Sequence, residues 1–453
     1  MGSRTHTRPL TSSPRKAVAG NVAVASRRAV GTLGLLGIGA LSTLLLTLAL
    51  WAKEPSTKLS VGAGVGLALV TALALWNENA GVFLAAALLA VVRVEPAPTD
   101  AVFLVIIAIA AASGRLSALR APAPIVVFLG SYLTLNVLAV TQAVQFGHAI
   151  KFSFTTFYLA LLALWMTGWL TSQIRVRVIV RGYLVAAGLS ALLGVGALYG
   201  PVPGRATLVY ANTRALALFK DPNVLGSFLV FGALILAEEL LRPSLLSSRP
   251  RAKWILFLLI VLGVVFSYSR AAWGSLILGL VVIAGVYALR RGGGRHAIAL
   301  LASMVFAGVV ALGVLSATGQ LAFLQQRAQT QGYDSNRFGA QEFAIHLAEQ
   351  HPFGVGPGQF ESYSPLSVHE TYLRALSEIG VLGLVLVAAL LLTTLAYAVR
   401  NAVRGIDTYG LGSATLLGTW CGLVASGFVI DTLHWRHLWV TAALIWAGAV
   451  RTA

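Results

Sequence analysis

The chain has 453 residues, 57% of them hydrophobic and only 11% charged, with a mean hydropathy of +0.82. That composition excludes a soluble globular domain and identifies a polytopic membrane protein. The formal net charge of +18 alternates between successive polar segments, which is the signature of positive-inside topology rather than of a nucleic-acid surface.

In chain order, residues 1–28 are rich in Ser, Thr, Arg and Pro and read as a disordered cytoplasmic tail. A transmembrane helix needs roughly 20 mostly apolar residues. Apolar runs of about that length, some shorter, recur near 29–51, 59–76, 79–94, 100–113, 122–143, 152–172, 179–200, 222–240, 253–267, 270–290, 295–317, 370–398, 408–430 and 434–451. The expectation is an all-α bundle of about 12–14 transmembrane helices. Residues 29–317 form the first set and 370–453 the last, and one long hydrophilic loop over 318–369 separates them. The runs near 79–94 and 100–113 are short and stand or fall as a pair if sidedness is to hold. About two-thirds of the 33 lysines and arginines fall before the first run, in alternate loops or at the C-terminus. That side is taken as cytoplasmic, which puts both termini inside and the long loop outside. The single Cys421 lies within an apolar run, so neither a disulfide framework nor a cysteine metal site can be built.

The informative residues are the basic ones left outside, because each resists the topological bias. Lys53, Lys58 and Lys151 sit in short polar turns, where solvation accounts for them. The segment FKDPNVLGSF has a good N-cap in Asp221 and a proline suited to the first helical position. Neither explains Lys220 or Asn223, which stand at a helix N-terminus where an anion is favoured, with Arg205 and Arg214 just upstream. Arg270, in SYSRAAW, stands between two apolar runs with almost no loop around it. An arginine there costs up to ~2.5–3.5 kcal/mol at a helix centre and less near the interface, unless it is paired or snorkels. The stretch HPFGVGPGQF packs two prolines and three glycines into ten residues, a turn-forming density that folds the long loop back over the membrane mouth.

The stretch HETYLRALSEIGVLG then runs from a histidine straight into apolar sequence. Helical spacing puts His369, Leu373, Leu376, Gly380 and Gly383 on one stripe, where the glycines allow close helix packing. Glu370, Arg374 and Glu378 form another stripe with i,i+4 spacing, which allows a ladder of ion pairs leading inward. At 1.5 Å per residue Glu378 lies roughly 13 Å below His369. A carboxylate at that depth belongs to a functional or paired network.

These four segments, in this order and with a long outer loop before the last, resemble the signature segments of the O-antigen ligase and polymerase family of membrane glycosyltransferases. The resemblance spans roughly residues 205–400. It implies a GT-C-like helical bundle in a bacterial cytoplasmic membrane, with an extracytoplasmic site that transfers a glycan from a polyprenyl diphosphate carrier to a lipid, glycan or protein acceptor. It implies no metal, no nucleotide cofactor and no nucleic-acid partner. By position, His369 is the catalytic histidine and Arg270 and Arg337 are diphosphate ligands. Lys220, Asn223, Arg214, Glu370, Arg374 and Glu378 complete the expected substrate-binding set. Glu370 departs from the family, where asparagine commonly follows the histidine. Ligation, glycan polymerisation and protein glycosylation stay open within the family. A transporter or flippase of a lipid-linked glycan is the rival from another class, but its binding residues belong near the midplane of both halves, whereas these are one-sided.

Overall fold

The computed structural model describes residues 57–93, 97–115, 120–290, 292–329 and 332–451. The expected tail and the apolar run near 29–51 lie outside the described residues. Among them the sheet content is one two-residue antiparallel hairpin, Val209–Tyr210 against Arg214–Ala215, and helices make up nearly everything else. The protein is an all-α, polytopic membrane protein.

Seven helices among the described residues are long and apolar enough to cross a membrane: Ala123–Gln142, Phe146–Trp169, Gln173–Tyr199, Pro222–Leu241, Arg270–Leu289, Gly294–Ala317 and Thr371–Arg404. Other expected spans fold as shorter helices, among them Pro98–Ala112, Pro250–Phe266, Ser413–Ser426 and Arg436–Val450. The run near 79–94 is helical only over Glu78–Ala87, too short to span a ~30 Å hydrocarbon core. Beyond it the chain leaves the helix, and the N–H groups of Val92 and Arg93 both donate to the Leu218 carbonyl.

Pro222–Leu241 is the central helix, and 83% of its apolar window is buried. Asp221 caps it by accepting from the Asn223 N–H at 2.7 Å, with Pro222 at the first position. It packs against Pro250–Phe266, Arg270–Leu289 and Ser413–Ser426. Arg270–Leu289 and Ser413–Ser426 approach so closely that a Cβ on Gly418 would meet the Gly279 carbonyl at 2.6 Å, the small-residue packing that takes the place of a hydrophobic driving force in lipid. At the C-terminal end of the central helix, buried Glu239 pairs with buried Lys253 at 2.8 Å and accepts from the N–H groups of Ser244 and Leu245. That end is locked; the candidate site occupies the opposite one.

Candidate functional site

The hairpin Val209–Ala215 is held at the N-terminal end of the central helix by Arg214. Its Nε donates to the Ser267 carbonyl at 2.8 Å and its Nη2 to Asn223 Oδ1 at 2.9 Å. One guanidinium therefore joins FKDPNVLGSF to SYSRAAW. The next segment is tied in the same way, with Arg270 donating to the Gln329 carbonyl at 3.1 Å and buried Arg327 to the Tyr268 carbonyl at 3.3 Å. The segment over 318–369 carries two helices, Leu321–Ala328 and Gly332–Gln350. From the second, Arg337 donates to the Val429 carbonyl, across to the chain beside His369. Lys220 is exposed on the same end.

Among the described residues, the non-glycine residues with positive φ are Ala211, Asn212, Ala217, Tyr268, His369 and Tyr409. All but Tyr409 lie in these converging segments. Left-handed backbone outside glycine costs of order 1–3 kcal/mol and concentrates at functional sites, so the strain marks the same end of the molecule as the charges.

His369 shows how the strain arises. Val368 is fully buried in a small cluster with Ala344, Leu347, Val355 and Phe360. Glu370, on the other side, is buried and caps the Thr371–Arg404 helix by accepting from the Leu373 N–H at 3.1 Å. Thr371 is pinned in turn, its N–H donating to the Gly427 carbonyl at 2.8 Å. With both neighbours turned inward, the chain passes through φ +43 at His369 and leaves the imidazole exposed. Its pKa is held below the usual histidine value, first by desolvation and then by the positive charges of Arg337 and Arg374, against the opposing pull of Asp221 and Glu361. The shift favours the neutral imidazole, the state a general base needs. Burial pushes the Glu370 carboxyl the other way, up to about 7, against the stabilising N–H groups of Leu373 and Tyr372.

The expected ladder is half formed. Arg374 donates to Glu378 Oε1 at 2.8 Å, as the spacing predicts, but its other partners are Glu361 and Ser367 Oγ, with Asp431 Oδ2 3.2 Å from Nε. Glu370 serves as the cap instead. Glu378, 2% exposed, accepts from the N–H groups of Gly358 at 2.7 Å and Phe360 at 3.3 Å. Arg374 and Glu378 thus grip the HPFGVGPGQF turn rather than line an open surface.

The helix also breaks where the sequence reads as continuous. Gly380 sits at φ +82, ψ −175 inside Thr371–Arg404. A break strands backbone groups that must find partners when buried. The glycine-rich turn supplies them: Val355 N–H donates to the Ser377 carbonyl at 3.0 Å, Gly356 N–H to the Glu378 carbonyl at 2.9 Å, and the Pro352 carbonyl accepts from Val381 N–H at 3.4 Å. A Cβ on Gly354 would meet the Glu378 carbonyl at 2.3 Å, and one on Gly380 the Pro352 carbonyl at 2.4 Å. Gly380, expected as a packing residue between helices, is the break that admits the turn.

Several residues here were missed from sequence. Asp431 and His434 approach the clamp from the far end of the chain; His434 lies 4.2 Å from the Phe152 ring and 2.9 Å from Thr156 Oγ1. With Tyr132, Asn136, Phe152, Arg374 and Glu378 they line a cavity of about 10 Å³, room for about one water molecule. Among the described residues no cluster of three His, Cys, Asp or Glu side chains is placed to hold a metal ion.

Residues 255–388 match the family model described as O-antigen ligase. The match contains SYSRAAW, the glycine-rich turn and the histidine segment, so over this stretch the chain is similar to the O-antigen ligase family. The match supports glycosyl transfer of that general kind. The comparison with curated proteins finds no match.

Proposed function

We propose that the protein transfers a glycan from a polyprenyl diphosphate carrier to an acceptor hydroxyl at the outer face of a bacterial cytoplasmic membrane, without metal or nucleotide. The observation that carries this reading is His369, neutral, exposed and strained, in front of an end of the bundle where Arg214, Arg270, Arg327 and Arg337 converge from three segments. His369 takes the proton of the acceptor hydroxyl as that oxygen attacks the anomeric carbon. The carbon–oxygen bond to the carrier breaks, and polyprenyl diphosphate leaves with the bonding pair. Its growing negative charge needs fixed donors, and a guanidinium meets a phosphate bidentately. Arg270 and Arg337 are assigned to it, with Lys220, Arg214 and Asn223 shaping the binding rim. Glu370, Arg374 and Glu378 act from behind, by capping and clamping. The positive-inside bias supports cytoplasmic termini and an outward site. Onto which acceptor the glycan goes, whether lipid, growing polymer or protein, stays open within the family.

The test is turnover of a purified polyprenyl-diphosphate glycan by detergent-solubilised protein in excess EDTA, read by mass spectrometry. The reading requires released polyprenyl diphosphate and a glycosylated acceptor. Movement of intact donor across proteoliposomes with no such release would make the protein a transporter. Loss of activity in EDTA, restored by added Mg²⁺, would overturn the metal-free assignment.

A further inference from the structure

The HPFGVGPGQF turn docks into a helix break, and one of its side chains points away from everything the break needs. Phe353 is 78% exposed, while the seven residues that follow it, Gly354 to Phe360, are all buried. A phenylalanine so exposed, between a proline and a glycine fixed by backbone hydrogen bonds, has no role in closing the turn. Its surroundings indicate what covers it. Pro352 bonds to Val381, and a Cβ on Gly380 would lie 2.9 Å from Phe353 backbone, so Phe353 sits beside the first residues past the break. There the exposed apolar face of the helix begins, with Val381 at 53%, Leu382 at 60% and Val385 at 53%. Before the break, the apolar side chains Ala375 and Ile379 are buried and Leu373 and Leu376 are half-buried.

One stretch of the helix matches a membrane core in length. From Val381 to Val399, just before Arg400, the helix covers roughly 28 Å at 1.5 Å per residue, which matches a hydrocarbon core of about 30 Å. With the core placed over that stretch, the ten residues from Thr371 to Gly380 stand above it, and the Arg374 and Glu378 charges stay out of lipid. Gly380 and Phe353 lie at its edge, where an aromatic ring is favoured.

We propose that Phe353 is a lipid anchor: the glycine-rich turn inserts its tip into the outer edge of the hydrocarbon, and the occupant of this exposed surface is the acyl region of the surrounding bilayer. Because Gly358 and Phe360 of the same turn are gripped by Glu378, which pairs with Arg374 beside His369, the anchor fixes the height of the histidine above the membrane surface. A reaction between membrane-held substrates needs that height set.

The test uses full-length protein in which Cys421→Ser removes the one native thiol and Phe353→Cys carries a nitroxide, reconstituted in phosphatidylethanolamine–phosphatidylglycerol nanodiscs. Leu382→Cys serves as the lipid-facing control and Ser362→Cys as the aqueous one. Power-saturation accessibility at position 353 should follow Leu382, high to oxygen and low to a polar nickel chelate. Accessibility like that of Ser362 places the tip in water and overturns the proposal. Low accessibility to both reagents means that another protein surface, such as a second copy, covers it, which overturns it equally. If the nitroxide lowers the thermal midpoint, labelling of the bare cysteine by membrane-impermeant against lipid-soluble maleimides gives the same discrimination: resistance to the first and reaction with the second support the anchor, and the reverse sinks it.

Discussion

Arg374 and four other arginines lie at the same end of the bundle and are held in different ways. Arg374 is buried and meets carboxylates, Glu361, Glu378 and Asp431, with Ser367 filling in. Arg214, Arg270, Arg327 and Arg337 each donate to a backbone carbonyl, those of Ser267, Gln329, Tyr268 and Val429, and Arg214 also donates to Asn223 Oδ1. Arg374 thereby has its buried charge compensated within one clamp, whereas the other four each bridge from one segment to another. The first arrangement fixes a shape, and the second draws together the segments around His369.

The largest effect should come from breaking the clamp. Arg374→Ala leaves the Glu378 carboxylate, 2% exposed, without its buried partner, at a cost of ~3–5 kcal/mol. The thermal midpoint of the solubilised protein should fall steeply and expression with it. Adding Glu378→Gln should recover part of the loss, since the orphaned charge goes with it; additive losses in this double-mutant cycle would mean the pair is not coupled.

On the rim, Arg270→Ala and Arg337→Ala should instead leave the midpoint near wild type and weaken donor binding by ~1.5–3 kcal/mol each. Lysine should restore only part, because a point charge does not reproduce a planar fork. Wild-type rates for the alanine variants at subsaturating donor would remove both residues from the site.

The charges around His369 can be read by pH. The folded-state pKa of His369 is depressed, so the base remains neutral and activity persists below the ordinary histidine value of ~6.5. Arg337→Ala removes a charge that lowers this pKa and should move the acid limb of kcat/KM to higher pH, while Asp221→Asn should move it to lower pH. A limb that ignores both substitutions belongs to some other group.

The smallest effect falls on Glu370, whose carboxyl is raised to about 7. Since its unfolded value is ~4.3, the folded state binds the extra proton between the two. The stabilisation is complete below ~4.3 and is lost as pH rises through about 7. Glu370→Gln keeps an acceptor for the Leu373 N–H and should flatten the fall in thermal midpoint between pH 5 and 8. Glu370→Asn, the commoner family residue, should fold and transfer glycan. An unchanged pH dependence in Glu370→Gln would show that another group sets it.

Much of this was legible in the chain. Hydropathy gives the all-α membrane bundle, and the one-sided charges give the end that matters. The Arg374–Glu378 spacing gives the inner half of the ladder. Glu370 was read as a rung because glutamate is an uncommon N-cap, and a cap shows only once the helix start is known. The break at Gly380 was invisible because a glycine in an apolar run is compatible with close packing; only the arrival of Pro352, Val355 and Gly356 from the turn satisfies the stranded backbone. Asp431 and His434 were missed for a similar reason, since they join the clamp through tertiary packing from more than fifty residues away and match no local spacing.

The central claim, that the exposed histidine does chemistry while the buried arginine holds shape, is tested most directly by single-turnover transfer with His369→Ala beside wild type at saturating donor, with thermal stability measured on the same samples. The chemical step should fall by the ~10²- to 10⁴-fold expected for loss of a general base, while donor binding and the thermal midpoint stay near wild type. Transfer at the wild-type rate, or a loss of activity matched by a collapse in stability, would contradict it.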